Sequence, residues 1–167
     1  LEHTNSIVVS IHRFQNIYNQ ERLNEIIQIL HLLSEKYILN FVLHPATEKK
    51  LKKLNLFTKL DENKKINLLP RMTYQNFLTL ALNSELVITD GGSNQEELAF
   101  FGHPTIILRD YTERQDGIGS SAILITDPKK IYQYITHKKY LELAKSKKNI
   151  SLSPSHVIME YFKKKSG

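Results

Sequence analysis

The chain has 167 residues, of which 41% are hydrophobic and 24% charged, with a formal net charge of +6. These proportions are typical of one globular domain with a substantial core, and no apolar run approaches the roughly 20 residues that span a bilayer. Cysteine is absent, which excludes disulfides and thiolate metal sites and favours a cytoplasmic location. Because the sequence begins at Leu1 rather than Met, we expect residues 1–167 to be a single domain from a longer chain.

Short apolar runs alternate with segments of helical spacing along the chain. The first half predicts a strand at 6–11, a helix at about 20–36, a strand at 39–44, a helix around 46–54 and a strand at 66–70. The second half predicts a helix from an N-cap at Thr73 to about 83, a strand at 86–90, a helix at 94–101 stopped by Gly102, strands at 105–109 and 122–126, and helices at roughly 128–146 and 154–165.

Strands that are apolar along their whole length and alternate with helices favour a parallel sheet covered on both faces. The predicted fold is therefore α/β, a Rossmann-like three-layer doubly wound parallel sheet. Ligands of such sheets bind outside the carboxyl ends of the strands, near the point where the strand order reverses. Residues that directly follow a strand are thus the first candidates for a functional site.

The junction after the strand at 86–90 reads TDGGSNQEE, residues 89–97. The backbone N–H groups and the positive dipole end of the following helix would make this turn an anion site. Gly91 and Gly92 allow positive φ and close approach of a phosphate, and Ser93 can cap the helix. A tight turn without a ligand is the alternative explanation. Of the two acids that follow, one pointing into the cleft could accept hydrogen bonds from ribose hydroxyls.

Charged and imidazole side chains follow three other strands. The loop RDYTERQDG (109–117) carries Arg114, whose planar guanidinium suits phosphate oxygens, whereas Arg109 and Asp110 could be explained by salt bridges within the loop. His12 and Arg13 directly follow the first strand, where an imidazole could bind phosphate or transfer a proton. His44, in VLHPAT, has the same placement after the second strand, although Pro45 makes it also readable as a simple strand exit.

Several other functions are disfavoured by the sequence. The seven histidines are dispersed and form no HExxH pattern, so no metal site is predicted. There is no G-x-S-x-G elbow and no Walker lysine, and GGSN does not match the dinucleotide fingerprint GxGxxG. The excess lysines are scattered without interleaved aromatic residues, which favours a solvated surface over a nucleic-acid groove.

Two segments resemble a known family. The run LVITDGGSNQEELAFFGHPTIILRDYTERQDGI (86–118) resembles the signature of the UDP-N-acetylglucosamine 2-epimerase family, a pattern such as T-D-S-G-G-x-Q-E-E followed by T-E-R-P-E-G. SIHRFQN (10–16) resembles the family's H-R-x-E-N motif. The order and separation of the motifs match the C-terminal half of that family, so the resemblance covers essentially the whole chain.

The resemblance implies that this domain is one half of a two-domain GT-B architecture and binds the UDP part of a UDP-sugar. It implies UDP contacts from Phe77 to uracil, from Glu97 to ribose, and from Gly91, Gly92, Ser93 and Arg114 to the diphosphate. His12 would lie beside the leaving group and act catalytically together with Arg114. Arg13 and His44 remain further candidates, and the sequence context of Phe77 alone is that of a core residue.

The family reaction inverts the sugar at C2, because UDP is eliminated to leave 2-acetamidoglucal, which is then protonated from the other face. We therefore expect the UDP-binding half of an epimerase that interconverts UDP-GlcNAc and UDP-ManNAc for surface polysaccharide synthesis. Implied partners are a UDP-sugar, an N-terminal domain of the same protein and a second copy in a homodimer, with no cofactor, nucleic acid or membrane. The fragment alone is expected to bind UDP weakly and to be inactive.

Two positions depart from the family pattern. Gly91-Gly92-Ser93 stands where S-G-G is usual, and Gln15 replaces the glutamate of H-R-x-E-N, which removes a charge near His12. The alternatives left open are a hydrolysing epimerase, half of a GT-B glycosyltransferase that uses an acceptor, and a basic binding domain without enzymatic activity.

Overall fold

The computed structural model describes residues 5–144 and 154–165, with the side chains of residues 144 and 154–158 left aside. Its strands are β1 (Ser6–Ser10), β2 (Ile38–Val42), β3 (Ile66–Leu69), β4 (Leu86–Thr89), β5 (Thr105–Leu108) and β6 (Ala122–Ile125). Its helices are α1 (Phe14–Ile17), α2 (Gln20–Ser34), α3 (Pro45–Lys53), α4 (Leu56–Asp61), α5 (Tyr74–Leu82), α6 (Gly92–Phe100), α7 (Lys129–Thr136), α8 (Tyr140–Ala144) and α9 (Pro154–Lys165).

The strands form one parallel sheet in the order β3-β2-β1-β4-β5-β6. The strand order reverses between β1 and β4, which are neighbours in the sheet although more than 70 residues of chain separate them. The predicted doubly wound α/β fold is confirmed. The loops that follow β1 and β4 therefore meet at the switch point, at the edge where ligands of such sheets bind.

Alternate side chains of the central strands pack into two separate apolar clusters. Ile7 and Ile88 belong to the larger cluster, together with residues of α2, α3, α4, α7 and α8. Val8 and Val87 belong to the smaller cluster, which they share with residues of α5 and α6. Because the sheet is buried on both faces, its strands are apolar along their whole length, as the sequence analysis assumed.

The predicted elements agree with the structure except in two respects. The helices α1 and α4 were not predicted, because segments of four and six residues are too short to show a helical period. The predicted helix at 128–146 is instead two helices, α7 and α8, separated at Lys138, whose φ is +54°; its last residues, 145–146, lie outside the described part. The N-cap at Thr73 is confirmed, since its side chain accepts from the N–H of Asn76 at 3.3 Å.

We expect Phe41→Ala to destabilise the fold by about 3–5 kcal/mol, because it deletes a large side chain that is 1% exposed in the middle of the sheet. Urea unfolding measures the change. Phe14→Ala is the matched control, since Phe14 is 75% exposed, and we expect it to cost below about 1 kcal/mol from its stacking on Tyr18. Equal losses in both variants would contradict this account of the core.

Candidate functional site

A buried carboxylate joins the loops that follow β1 and β4. The side chain of Asp90 is fully buried and accepts hydrogen bonds from the backbone N–H of His12 at 3.0 Å and of Arg13 at 2.8 Å. It also accepts from the Nδ2 of Asn16 at 2.8 Å. In the other direction, the Nε of Arg13 donates to the carbonyl oxygen of Asp90 at 2.9 Å. Asp90 therefore fixes the path of the chain directly after β1.

This arrangement also orients the His12 imidazole. Its Nδ1 lies 3.2 Å from Oδ1 of Asp90, a close contact that is not aligned as a hydrogen bond. The ring stacks on His44, with 4.2 Å between centroids and 21° between planes. With Nδ1 turned to the carboxylate, Nε2 is the nitrogen that can serve a ligand. The His12 side chain is 31% exposed, so the ring is reachable from solvent.

His44 is the N-cap residue of α3. It lies beside His12 because the first turn of α3 is hydrogen-bonded to Ile11, the residue that follows β1. The Thr47 hydroxyl, in the first turn of that helix, donates to the carbonyl oxygen of Ile11 at 2.6 Å. Burial lowers the pKa of His44, and the neighbouring charges of His12 and Arg71 lower it further, against an opposing effect of Asp90. His44 is therefore held toward its neutral form, which suits a ring that stacks on a second imidazole.

The glycine pair at the start of α6 leaves room for the two predicted catalytic side chains. A Cβ on Gly91 would lie 3.2 Å from Cε1 of His12, and a Cβ on Gly92 would lie 2.9 Å from Nε of Arg114. Neither glycine uses the positive φ that its residue type allows, because Gly91 has φ −81° and Gly92 is helical. What these positions require is the absence of a side chain, since an imidazole and a guanidinium pack directly against the backbone.

Ser93 does not cap α6, although the sequence allowed it. The N-cap is Gly91, and no side-chain cap is made to the amides of the first turn. The hydroxyl of Thr89 instead accepts the N–H of Gly91 at 3.1 Å and the Nδ2 of Asn94 at 3.0 Å. The first amides of an α-helix have no acceptor within the helix, so this turn offers N–H donors and the positive dipole end to an anion.

The loop after β5 is fastened to α6 by Gln95, which is fully buried. Its Nε2 donates to the carbonyl oxygens of Arg114 at 3.0 Å and Asp116 at 3.1 Å, and its Oε1 accepts from the hydroxyl of Thr112 at 3.0 Å. The Arg114 guanidinium forms a half-exposed ion pair with Glu96. Gln95 thus holds Arg114 over Gly92, beside the first turn of α6.

Arg109 does not form the salt bridge with Asp110 that the sequence left open. Asp110 instead lies 3.5 Å from Arg22, whereas Arg109 is 7% exposed and its Nε has no hydrogen-bond partner within the described residues. Burial lowers the pKa of Arg109, and the nearby Arg13 lowers it further. A second, largely buried cation therefore stands close to Arg13 at this edge of the sheet.

The structure brings most of the predicted residues together and separates two from the rest. His12, Arg13, His44, Gly91, Gly92 and Arg114 lie around the start of α6. Glu97 lies further along α6 and is hydrogen-bonded by Tyr161 at 2.7 Å. Phe77 lies in the smaller apolar cluster and is 7% exposed, which fits the core alternative, and its contact with uracil stays a prediction.

Four positioning residues were missed by the sequence analysis: Asn16, Asp90, Gln95 and Tyr161. Asp90 carried a usable signal, because it is a polar residue at the end of an apolar strand. Tyr161 carried none, since its partner Glu97 is 64 residues away in the chain.

The described residues contain no group of three or more His, Asp or Glu side chains arranged to hold a metal ion. Within the same described residues, no helix combines the length and the apolar character needed to traverse a bilayer.

In a comparison with known proteins, the family model described as UDP-N-acetylglucosamine 2-epimerase matches residues 1–154 of this chain. The chain belongs to this family. It is 42% identical over 125 residues to the UDP-N-acetylglucosamine 2-epimerase of Methanocaldococcus jannaschii and 36% identical over 128 residues to that of Methanococcus maripaludis. These matches cover 73% and 74% of this chain but 34% and 35% of the relatives, so the chain spans about a third of their length.

Solved structures of this family have the same fold. The Methanocaldococcus jannaschii enzyme in complex with UDP-GlcNAc and UDP matches with a TM-score of 0.77 and 31% identity, over 96% of this chain and 46% of that one. An E. coli heptosyltransferase matches with a TM-score of 0.61 at 13% identity, over 83% of this chain and 45% of that one, which shows the fold alone. This chain covers less than half of each of these two structures. That coverage agrees with the prediction that it is one half of a GT-B architecture.

We expect Asp90→Asn to destabilise the fold by about 2–4 kcal/mol, because the amide would turn N–H donors toward the donors that Asp90 now accepts from. Asp110→Asn is the control, since Asp110 is 61% exposed in its pair with Arg22 and should cost below about 1 kcal/mol. Urea unfolding of both variants checks this. Equal stability of the two variants would remove Asp90 from its central role.

Proposed function

We propose that this chain is the UDP-binding half of a UDP-N-acetylglucosamine 2-epimerase that interconverts UDP-GlcNAc and UDP-ManNAc for surface polysaccharide synthesis. The observation that carries the proposal is the glycine pair at the start of α6, with His12 packed at Gly91 and Arg114 at Gly92. Backbone amides, a guanidinium and an imidazole converge there, which is the donor set that a pyrophosphate requires. Membership of the epimerase family and the UDP complex of a relative support the identity of the anion.

In this proposal the site acts mainly on the leaving group. When the bond between the sugar C1 and the phosphate oxygen breaks, UDP takes the electron pair and gains negative charge. Arg114 and the first-turn amides of α6 would stabilise that charge. Nε2 of His12 would donate a hydrogen bond or a proton to the leaving oxygen, and the Asp90 carboxylate beside Nδ1 would hold the ring in that orientation.

The remaining assignments of the proposal follow the family resemblance. Glu97 would accept hydrogen bonds from the ribose, Ser93 would contact the diphosphate, and Phe77 would contact uracil. The acids and bases that act at the sugar C2 would come from an N-terminal domain of the same protein. A homodimer and a cytoplasmic location complete the proposal, and no cofactor enters the reaction.

The chain should bind UDP, and Gly92→Ala should weaken that binding at least tenfold, roughly 1.4 kcal/mol, because the new Cβ displaces Arg114. The fold itself should gain up to about 1 kcal/mol, since alanine favours a helix over glycine. Calorimetric titration with UDP and urea unfolding measure the two effects.

Gly119→Ala is the converse control for this pair of measurements. Gly119 has φ +80° and nothing within 4 Å of an added Cβ. We expect this variant to lose about 1 kcal/mol of stability from backbone strain and to keep its affinity for UDP. No heat from the unaltered chain at millimolar UDP would count against the proposed function.

Arg114→Ala, in a protein that carries this domain together with its catalytic partner domain, should lower turnover at least about tenfold, roughly 1.4 kcal/mol in the transition state. The reason is the loss of a cation beside the departing diphosphate. Lys59→Ala removes the same charge from the surface of α4 and should leave the rate unchanged. Initial rates of UDP-GlcNAc epimerisation compare the two variants, and unchanged kinetics for Arg114→Ala would exclude it from the phosphate role.

A further inference from the structure

The carboxylate of Glu97 is held by the last described helix, α9. Its Oε2 accepts a hydrogen bond from the Tyr161 hydroxyl at 2.7 Å, and its Oε1 lies 3.5 Å from Nζ of Lys165. The Glu97 side chain is 14% exposed. Its orientation therefore depends on contacts from an element distant in the chain.

The Tyr161 ring is itself fixed by other aromatic rings. It packs at 5.0 Å from Phe100 and 5.5 Å from Phe101, both at the end of α6, and at 5.5 Å from Phe162. Phe162 in turn meets the Tyr74 ring of α5 edge-on at 5.7 Å. The ring packed in this way carries a hydroxyl that donates to Glu97 and accepts from Nζ of Lys165 at 3.0 Å.

Glu97 and Tyr161 share the wall of a cavity of about 390 Å³ between α6, α9 and the loop after β5. Its lining includes Glu96, Glu97, Phe100, Asp116, Gly117 and Tyr161. The volume lies in the range of small-molecule sites. The Tyr161 hydroxyl and the Glu97 carboxylate therefore meet at a surface that a ligand group can reach.

The surroundings of Glu97 keep its carboxylate ionised. Burial alone would raise the pKa of Glu97, but the nearby Tyr74 hydroxyl, the hydrogen bond from Tyr161 and the charge of Lys165 lower it overall. An ionised carboxylate offers about four lone-pair sites. The contacts with α9 leave acceptor sites for further hydroxyl donors.

We propose that Tyr161 is a positioning residue for nucleotide recognition: it holds the Glu97 carboxylate so that its remaining lone pairs accept the two vicinal hydroxyls of ribose. Lys165 supports the same orientation from the second oxygen. The inference deepens the proposed function and rests on it. It makes recognition of the ribose depend on the packing of α9 against α5 and α6.

The test compares UDP with 2′,3′-dideoxy-UDP, which lacks both ribose hydroxyls, by calorimetric titration of the chain. The unaltered chain should bind UDP at least about tenfold more tightly, because a charge-assisted hydrogen bond is lost in the dideoxy ligand. Tyr161→Phe keeps the ring and removes the hydroxyl. It should weaken UDP binding roughly fivefold and leave the affinity for the dideoxy ligand unchanged.

Tyr140→Phe is the matched control, because the Tyr140 hydroxyl also donates to a carboxylate, that of Glu85 at 2.5 Å. That pair joins α8 to the start of β4, away from α6. The variant should keep the full preference for UDP. Equal weakening of both ligands by Tyr161→Phe would show a merely structural role, and tighter UDP binding would show that Tyr161 competes with the ribose; either result overturns the proposal.

A second measurement does not require the nucleotide. Carboxyl carbon NMR shifts of the chain report the pKa of Glu97, which Tyr161→Phe should raise and Tyr140→Phe should leave in place. The groups that act on this carboxylate are Tyr74 on α5 and Tyr161 and Lys165 on α9. An unchanged pKa of Glu97 in Tyr161→Phe would overturn the positioning role even if UDP binds. Failure of the unaltered chain to bind UDP would instead contradict the proposed function itself.

Discussion

The site depends on one buried carboxylate, that of Asp90. Sheet hydrogen bonds stop at the ends of β1 and β4. Beyond that point, the Asp90 carboxylate accepts hydrogen bonds from the backbone N–H groups of His12 and Arg13. A fully buried charge is costly unless several donors surround it. Here those donors are the backbone of the neighbouring loop and Asn16, so the cost of burial is offset by the groups that shape the site.

The glycine pair adds a steric constraint to this electrostatic one. Side chains at positions 91 and 92 would occupy the space of His12 and Arg114. The loop after β5 is held at the same place because the buried Gln95 side chain donates two hydrogen bonds to it and accepts one from it. Three loops that follow different strands are thereby fixed around one helix start, which is the condition for a preorganised anion site.

The sequence predicted the fold well because the strands are apolar throughout and the helices between them are long enough to show a period. It placed His12 and Arg13 at the end of β1 and Arg114 in the loop after β5, since the topology of a parallel sheet decides which residues share an edge. It did not locate the N-cap of α6 at Gly91, because a capping role depends on where the helix begins to within one residue. Asn16, Gln95 and Tyr161 act through long-range hydrogen bonds that no local pattern records.

Arg13 and Arg109 have a thermodynamic consequence for ligand binding. The two guanidinium groups repel each other, and Arg109 is largely buried at the same time. Burial of the Arg109 charge is the larger of these two effects, and the charges of Asp90 and Glu113 oppose both. In the proposed function, an anion bound beside these arginines would act in the same sense as Asp90 and Glu113, in addition to forming its own contacts.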